Sequence, residues 1–169
     1  MIKGLQNILS NNLKGILIYF GVFFFIVLID YISKDIILKM IFLPPKQIKI
    51  FDFFNLSPVW NPGISFGLFA NKYWIGKYII PFVAFIVICW MIINIHLMPR
   101  LQQISAGLIS GGALGNVIDR FRFGSVVDFL DFHIKDWHWP AFNFADSAIF
   151  TGAIIWLYCI LKNESEKEV

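Results

Sequence analysis

Charge is what this chain has least of. Asp, Glu, Lys and Arg make up only 15% of its 169 residues, whereas 58% are apolar and 19 are Phe, too little polar surface for a water-soluble globule. The composition is that of a membrane protein. Cysteine is also scarce: Cys89 and Cys159 each fall inside an apolar run, with no C-x-x-C pair or Cys/His cluster, which excludes a disulfide framework and a zinc site. Net charge is +3, but no basic stripe interleaved with aromatics is present, so nucleic acid is not an expected partner. The H-E-x-x-H helix of metalloproteases, the G-x-S-x-G elbow of serine hydrolases and a phosphate-cradling glycine loop are missing as well. Neither a metal nor a cofactor is expected. His133, Asp136 and His138 lack ligand spacing, and Ser147 reads as a polar residue of a first helical turn.

What is there is long apolar runs. The first, Gly15 to Ile29, extends to about residue 34 if Asp30 and Lys34 face protein or headgroups, and no small-x-small cleavage site follows it. The second is 74–97, with Pro81 in an early turn. The third, 104–120, is short and carries Gly107, Gly111 and Gly115 on one helical face, a spacing that lets membrane helices approach closely. The fourth is 144–161. The expected fold is therefore mainly α: one membrane-embedded domain over 1–169, with four transmembrane helices and both termini on one side. Segments 42–73 and 121–141 share the opposite side. The first of these holds "KQIKIFDFFNL" and "GISFGLF", separated by Pro58 and Pro62, which predicts a small β-structure. Trp60, Tyr73, Trp74, Trp137 and Trp139 would form an interfacial belt. The Lys/Arg tally does not decide orientation, because basic residues flank both sides.

The polar residues gather at one end. Asp30 and Lys34, like Asn116 and Arg120, stand four apart on a helix, with Asp119 beside the second pair. Asp128 and Asp131 follow in "VVDFLDF", and Asn143 and Asp146 open the fourth run. Asn143 with an acid three residues later is also a helix-capping pattern, and Asp131 reads as a solvated loop acid. Ionisable groups at membrane depth cost about 3 kcal/mol each, so several at one face point to function. Two aspartates meeting across a water share one proton: the ionised member deprotonates water while the protonated member polarises a carbonyl. The same acids would also serve a small four-span transporter or channel, and the glycine stripe would serve an assembly subunit.

Five stretches resemble the lipoprotein signal peptidases, also called signal peptidase II: "DYISK" (30–34), "NPGISFG" (61–67), "GGALGNVIDR" (111–120), "GSVVDFLDF" (124–132) and "PAFNFADS" (140–147). The resemblance implies an aspartyl endopeptidase of the bacterial inner membrane that cuts diacylated prolipoproteins before the lipidated cysteine. It implies that Asp128 and Asp146 are catalytic, and that Asn116, Arg120, Asn143, Asn61, Gly63, Asp30 and Lys34 bind substrate or surround the site. It further implies cytoplasmic termini, an extracytoplasmic active site and β-structure, contact with membrane lipid, inhibition by globomycin-type cyclic peptides, and a monomer. The chain departs from the family's pattern at Tyr31 and Ser65.

Overall fold

The computed structural model describes the backbone of residues 2–63 and 74–165, and side-chain surroundings for 13–63 and 74–162. Helix α1 (Ile2–Ile41) is followed by strands β1 (Ile48–Phe51) and β2 (Phe54–Asn61). A π-helical turn (Ile75–Ile79) then leads into α2 (Ile80–Asn94). After α3 (Arg100–Phe123) come β3 (Val126–Ile134), the short β4 (Trp137–His138) and α4 (Phe144–Ser165). The sheet is antiparallel in the order β1-β2-β3-β4.

Among the described residues three segments are long and apolar enough to cross a membrane: Leu13–Ile41, Ile75–Leu97 and Phe144–Lys162. Their outer faces expose Phe24, Phe25, Phe82, Phe85, Phe150 and Leu157, a surface suited to lipid rather than water. Composition thus marks three spans where four were expected. The difference is α3, whose 24 residues include many Gly, Ser and amide side chains. It is the inner helix, packed against α1, α2 and α4, and it buries Gln103, Ser105 and Ser110. Each finds a partner on a neighbouring segment: Gln103 Nε2 donates to the Ile95 carbonyl at 3.2 Å, Ser105 Oγ to that of Gly152 at 2.6 Å, and Ser110 Oγ to Met91 Sδ at 3.2 Å. A helix wrapped by other helices can hold polar groups that a lipid-facing one cannot.

The glycines explain how close that packing is. A Cβ at Gly107 or Gly111 would stand 2.9 or 2.7 Å from a carbonyl oxygen of α1, on Tyr19 and Phe23 respectively. At Gly112 it would collide with the Ala145 carbonyl at the head of α4. The stripe is therefore occupied within the chain rather than offered to another subunit.

The first span also runs further than expected, to Ile41 rather than residue 34. Nothing between Ser33 and Ile41 breaks a helix, and its last turns are covered: Ile37, Ile41 and Phe42 pack on Val127 and Phe129 beneath the sheet. Only the double proline, Pro44-Pro45, ends it.

The expected β-structure of 42–73 is present as β1 and β2, but residues 64–69 of "GISFGLF", and Tyr73, lie outside the described residues. Pro58 does not separate two runs. It lies inside β2, at the irregularity between Leu56 and Val59, where its missing N–H costs no ladder bond. The other half of the sheet comes from 121–141, where no strand was expected. The reason is that Val126 to Phe129 are all buried, so β3 lacks the in-out alternation of a half-exposed strand. Helix α3 passes into β3 through Gly124, whose φ of 75° is left-handed and whose N–H caps the Arg120 carbonyl at 3.0 Å.

Gly111→Leu should therefore lose stability by about 3 kcal/mol or more, through overpacking against the Phe23 carbonyl. Thermal unfolding of the purified protein would show it, and a wild-type melting curve would refute this account of the stripe.

Candidate active site

Each end of the site is built from a local motif. In α1, Asp30 and Lys34 face the bundle interior four residues apart and pair at 2.7 Å, about 1% exposed. In α3, Asn116, Asp119 and Arg120 share one face and are buried. In β3, Asp128 points the same way. Asn143 sits just before α4 and Asp146 in its first turn, where the helix dipole favours an acid.

The capping pattern is real. Asn143 Oδ1 accepts the Asp146 N–H at 2.9 Å, and Asp146 Oδ2 accepts the Asn143 N–H at 3.3 Å, a reciprocal capping box. The Asn143 amide has a second task. Its Nδ2 donates to Asp128 Oδ1 at 2.6 Å, and also lies 3.2 Å from Asn116 Oδ1. Asn143 thus touches both acids, one through its side chain and the other through its backbone.

The remaining carboxylate oxygens are held too. Asn61 Nδ2 donates to Asp128 Oδ2 at 2.9 Å, and Asn116 Nδ2 to Asp146 Oδ1 at 2.7 Å. Asn61 reaches Asp128 along the sheet: its own partner across the ladder is Val126, so Asp128 is the diagonal neighbour on the same face. Asn61 Oδ1 in turn accepts the Gly63 N–H at 3.1 Å, and the Gly63 carbonyl accepts Arg120 Nη2 at 2.7 Å. Arg120 Nη1 donates to the Asn116 carbonyl at 3.2 Å, while its Nε is buried with no partner among the described residues.

These groups border a cleft of about 270 Å³, lined by Asn61, Gly63, Asn116, Arg120 and Asp146, with Ile80, Ala84 and Ile149 on its apolar side. Polar donors occupy one wall and aliphatic side chains the other. Asp30 and Lys34 do not line it. They lie behind it, where Lys34 also meets Asp119 at 2.8 Å. All nine residues singled out in the sequence are thus in one network. Asp119, noted in the sequence beside Asn116 and Arg120 but given no role there, joins the same network through Lys34.

Asp131 corrects an expectation. It is buried rather than solvated, accepting from Ser57 Oγ at 2.7 Å and Gln47 Nε2 at 3.3 Å, and pairing with His138 Nδ1 at 2.6 Å. It ties β2, β3 and β4 together. Burial pushes its carboxyl up, but the hydrogen bonds from Ser57 and His138 outweigh that and hold it below the ordinary carboxylate range. His133 and His138 stack on each other at 4.8 Å, and no cluster of three metal-ligating side chains exists among the described residues.

The site holds four acids, Asp30, Asp119, Asp128 and Asp146, against two bases, Lys34 and Arg120. One acid pair must relieve the imbalance by keeping a proton. Burial, and next the charge of Asp146, raises the Asp128 carboxyl from 3.8 to about 7, against the hydrogen bonds from Asn61 and Asn143. The two carboxyls titrate as a unit, so the shared proton belongs to the pair.

Apolar helices around a polar cleft that Asp146 lines, with Asp128 bonded to Asn61 of the cleft wall and to Asn143, are the architecture of a membrane-embedded aspartic peptidase. The comparisons with known proteins give the family. Residues 22–162 match the family described as Signal peptidase (SPase) II. A protein named Lipoprotein signal peptidase from Burkholderia thailandensis is 41% identical over 154 residues, 89% of this chain and 92% of that one. Its counterpart from Burkholderia vietnamiensis is 42% identical over the same length and shares. A bacterial membrane enzyme solved by the in meso method superposes with a TM-score of 0.72 at 29% identity, covering 88% of this chain and 90% of that chain. The chain belongs to the signal peptidase II family and is an aspartic endopeptidase. That removes the transporter reading of its buried acids.

The raised Asp128 carboxyl has a measurable effect on folding. Between pH 3.8 and about 7 the folded chain keeps a proton that the unfolded chain has released, so this group's contribution to stability falls as pH rises through that window. Thermal unfolding of wild type and Asp128→Asn across pH 4 to 8 should show a decline in the wild type that the variant lacks. Parallel curves would contradict the assignment.

Proposed function

We propose that the chain removes signal peptides from diacylglyceryl-modified prolipoproteins, cutting before the lipidated cysteine, with Asp128 and Asp146 as the catalytic pair. The observation that carries this reading is the joint hold of Asn143 on both carboxyls, of which Asp146 lines the cleft. A pair that keeps one proton at neutral pH has a base and an acid together. The ionised carboxylate takes a proton from water, whose oxygen attacks the scissile carbonyl carbon. The protonated carboxyl donates to the carbonyl oxygen as it gains charge. Collapse of the tetrahedral intermediate then needs a proton on the amine of the departing cysteine, which the pair supplies.

Arg120 and Asn116 orient the peptide. The Arg120 Nε–H, buried beside the cleft and without a partner among the described residues, is a donor for a substrate carbonyl. Asn61 and Gly63, at and just after the end of β2, join the same polar wall through Asp128 and Arg120. The aliphatic wall of Ile80, Ala84 and Ile149 suits the apolar signal segment and the acyl chains.

In this reading α3 counts as a fourth span despite its polar composition, because α1, α2 and α4 shield it. Four spans put both termini on one side, which this reading takes as the cytoplasmic side of the bacterial inner membrane, with the sheet and cleft at the outer face, where a translocated prolipoprotein presents its peptide bond.

Asp128→Asn and Asp146→Asn should each lower cleavage of a diacylated prolipoprotein peptide by about a thousandfold, the scale of a lost general acid or base. The measurement is product formation by purified enzyme in lipid-detergent micelles. Full cleavage by either variant would sink the reading.

A further inference from the structure

Lys34 has no spare donor. Its ammonium carries three N–H groups, and three oxygens surround it: Asp30 Oδ2 at 2.7 Å, Asp119 Oδ2 at 2.8 Å and Asn116 Oδ1 at 3.1 Å. With that, about 1% exposure and a place behind the cleft, Lys34 surrounds the site rather than touching substrate.

Its partners lead to the acids. Asp30 Oδ1 accepts the N–H of Ala145 at 2.9 Å, and Asp119 Oδ2 accepts the N–H of Val127 at 3.1 Å. Ala145 is the residue before Asp146, and Val127 is the residue before Asp128. The third arm ends at the same place, since Asn116 donates to Asp146 Oδ1 at 2.7 Å. Gly115 makes the geometry possible, because a Cβ there would collide with the Asp30 carboxylate.

We propose that Lys34 is a positioning residue: its ammonium ties together the two backbone anchors from which Asp128 and Asp146 project, and so sets the spacing and angle between them. Asp128 stands on a sheet outside the bundle and Asp146 on a bundle helix; Asn143 links the two carboxyls directly, and Lys34 links the backbone beneath them. A displacement of about 1 Å at reacting groups costs on the order of a hundredfold in rate. Lys34 reaches the cleft wall, which governs substrate binding, only through Asn116, whose bonds to Asp146 and Asn143 remain without it. The ammonium also opposes the negative charge of the pair, alongside Arg120 from α3 and against Asp30 and Asp119.

The proposal rests on the peptidase reading above. Its test uses the full chain, in micelles, with the same diacylated peptide. Lys34→Arg keeps the charge, but a planar guanidinium cannot place three donors on those oxygens. The double variant Lys34→Met/Asp119→Asn removes the ammonium with one compensating acid and leaves an amide oxygen for the Val127 N–H. In both, kcat should fall about tenfold to a hundredfold with KM within about twofold. Wild-type kcat in the arginine variant, or a change confined to KM, overturns the proposal while wild-type cleavage leaves the peptidase reading intact. A wild-type protein that cuts nothing overturns both.

Discussion

A polar group at membrane depth must find every partner inside the protein, because lipid offers none. The upper end of this bundle is organised by that constraint. Lys34 could not be buried without acids for its charge, and those acids could not be buried without donors for their remaining oxygens. The donors they found are the backbone N–H groups of Ala145 and Val127. Satisfying one ammonium thereby joins α1 to α3, to the head of α4 and to the first residues of β3.

The same bonds that stabilise the fold therefore orient the acids. Asn143 shows this most directly: it closes the free end of α4 as a cap and also holds Asp128. Structural and catalytic readings of such a residue are not alternatives. A capped helix end supplies a fixed backbone and a favourable dipole, and both are what a carboxylate on its first turn needs. The two carboxyls, by contrast, are fully hydrogen-bonded yet buried and crowded by like charge, and burial first, with that crowding second, raises the Asp128 carboxyl.

Glycine sets the distances at which this is possible. At Gly107, Gly111 and Gly112, α3 lies against carbonyl oxygens of α1 and α4, and at Gly115 against the Asp30 carboxylate. Much of the aliphatic surface of the bundle faces outward, and at the end beneath the sheet its centre is narrow and polar. This inversion of a water-soluble core explains why the inner helix fails a test of apolarity that its three neighbours pass.

Some of this was legible in the sequence because it is local. The apolar runs, the i, i+4 pairs of Asp30 with Lys34 and Asn116 with Arg120, and the capping pattern at Asn143 depend on residues a turn apart, and helix geometry alone places them. The sequence likewise determined that this is a membrane protein, since its charge is too sparse for anything else. What it did not show is every feature that depends on distant segments. Strand β3 was hidden because burial on both faces erases alternation, and the buried role of Asp131 because its partners Gln47, Ser57 and His138 come from other strands and turns. The link from Lys34 to both acids was hidden because it passes through backbone N–H groups, which every residue but proline has and no motif records. Only the tertiary structure decided which acids meet, because positions 30, 119, 128 and 146 converge through helix packing at the glycines and through sheet register, and neither is written in the spacing of any one segment.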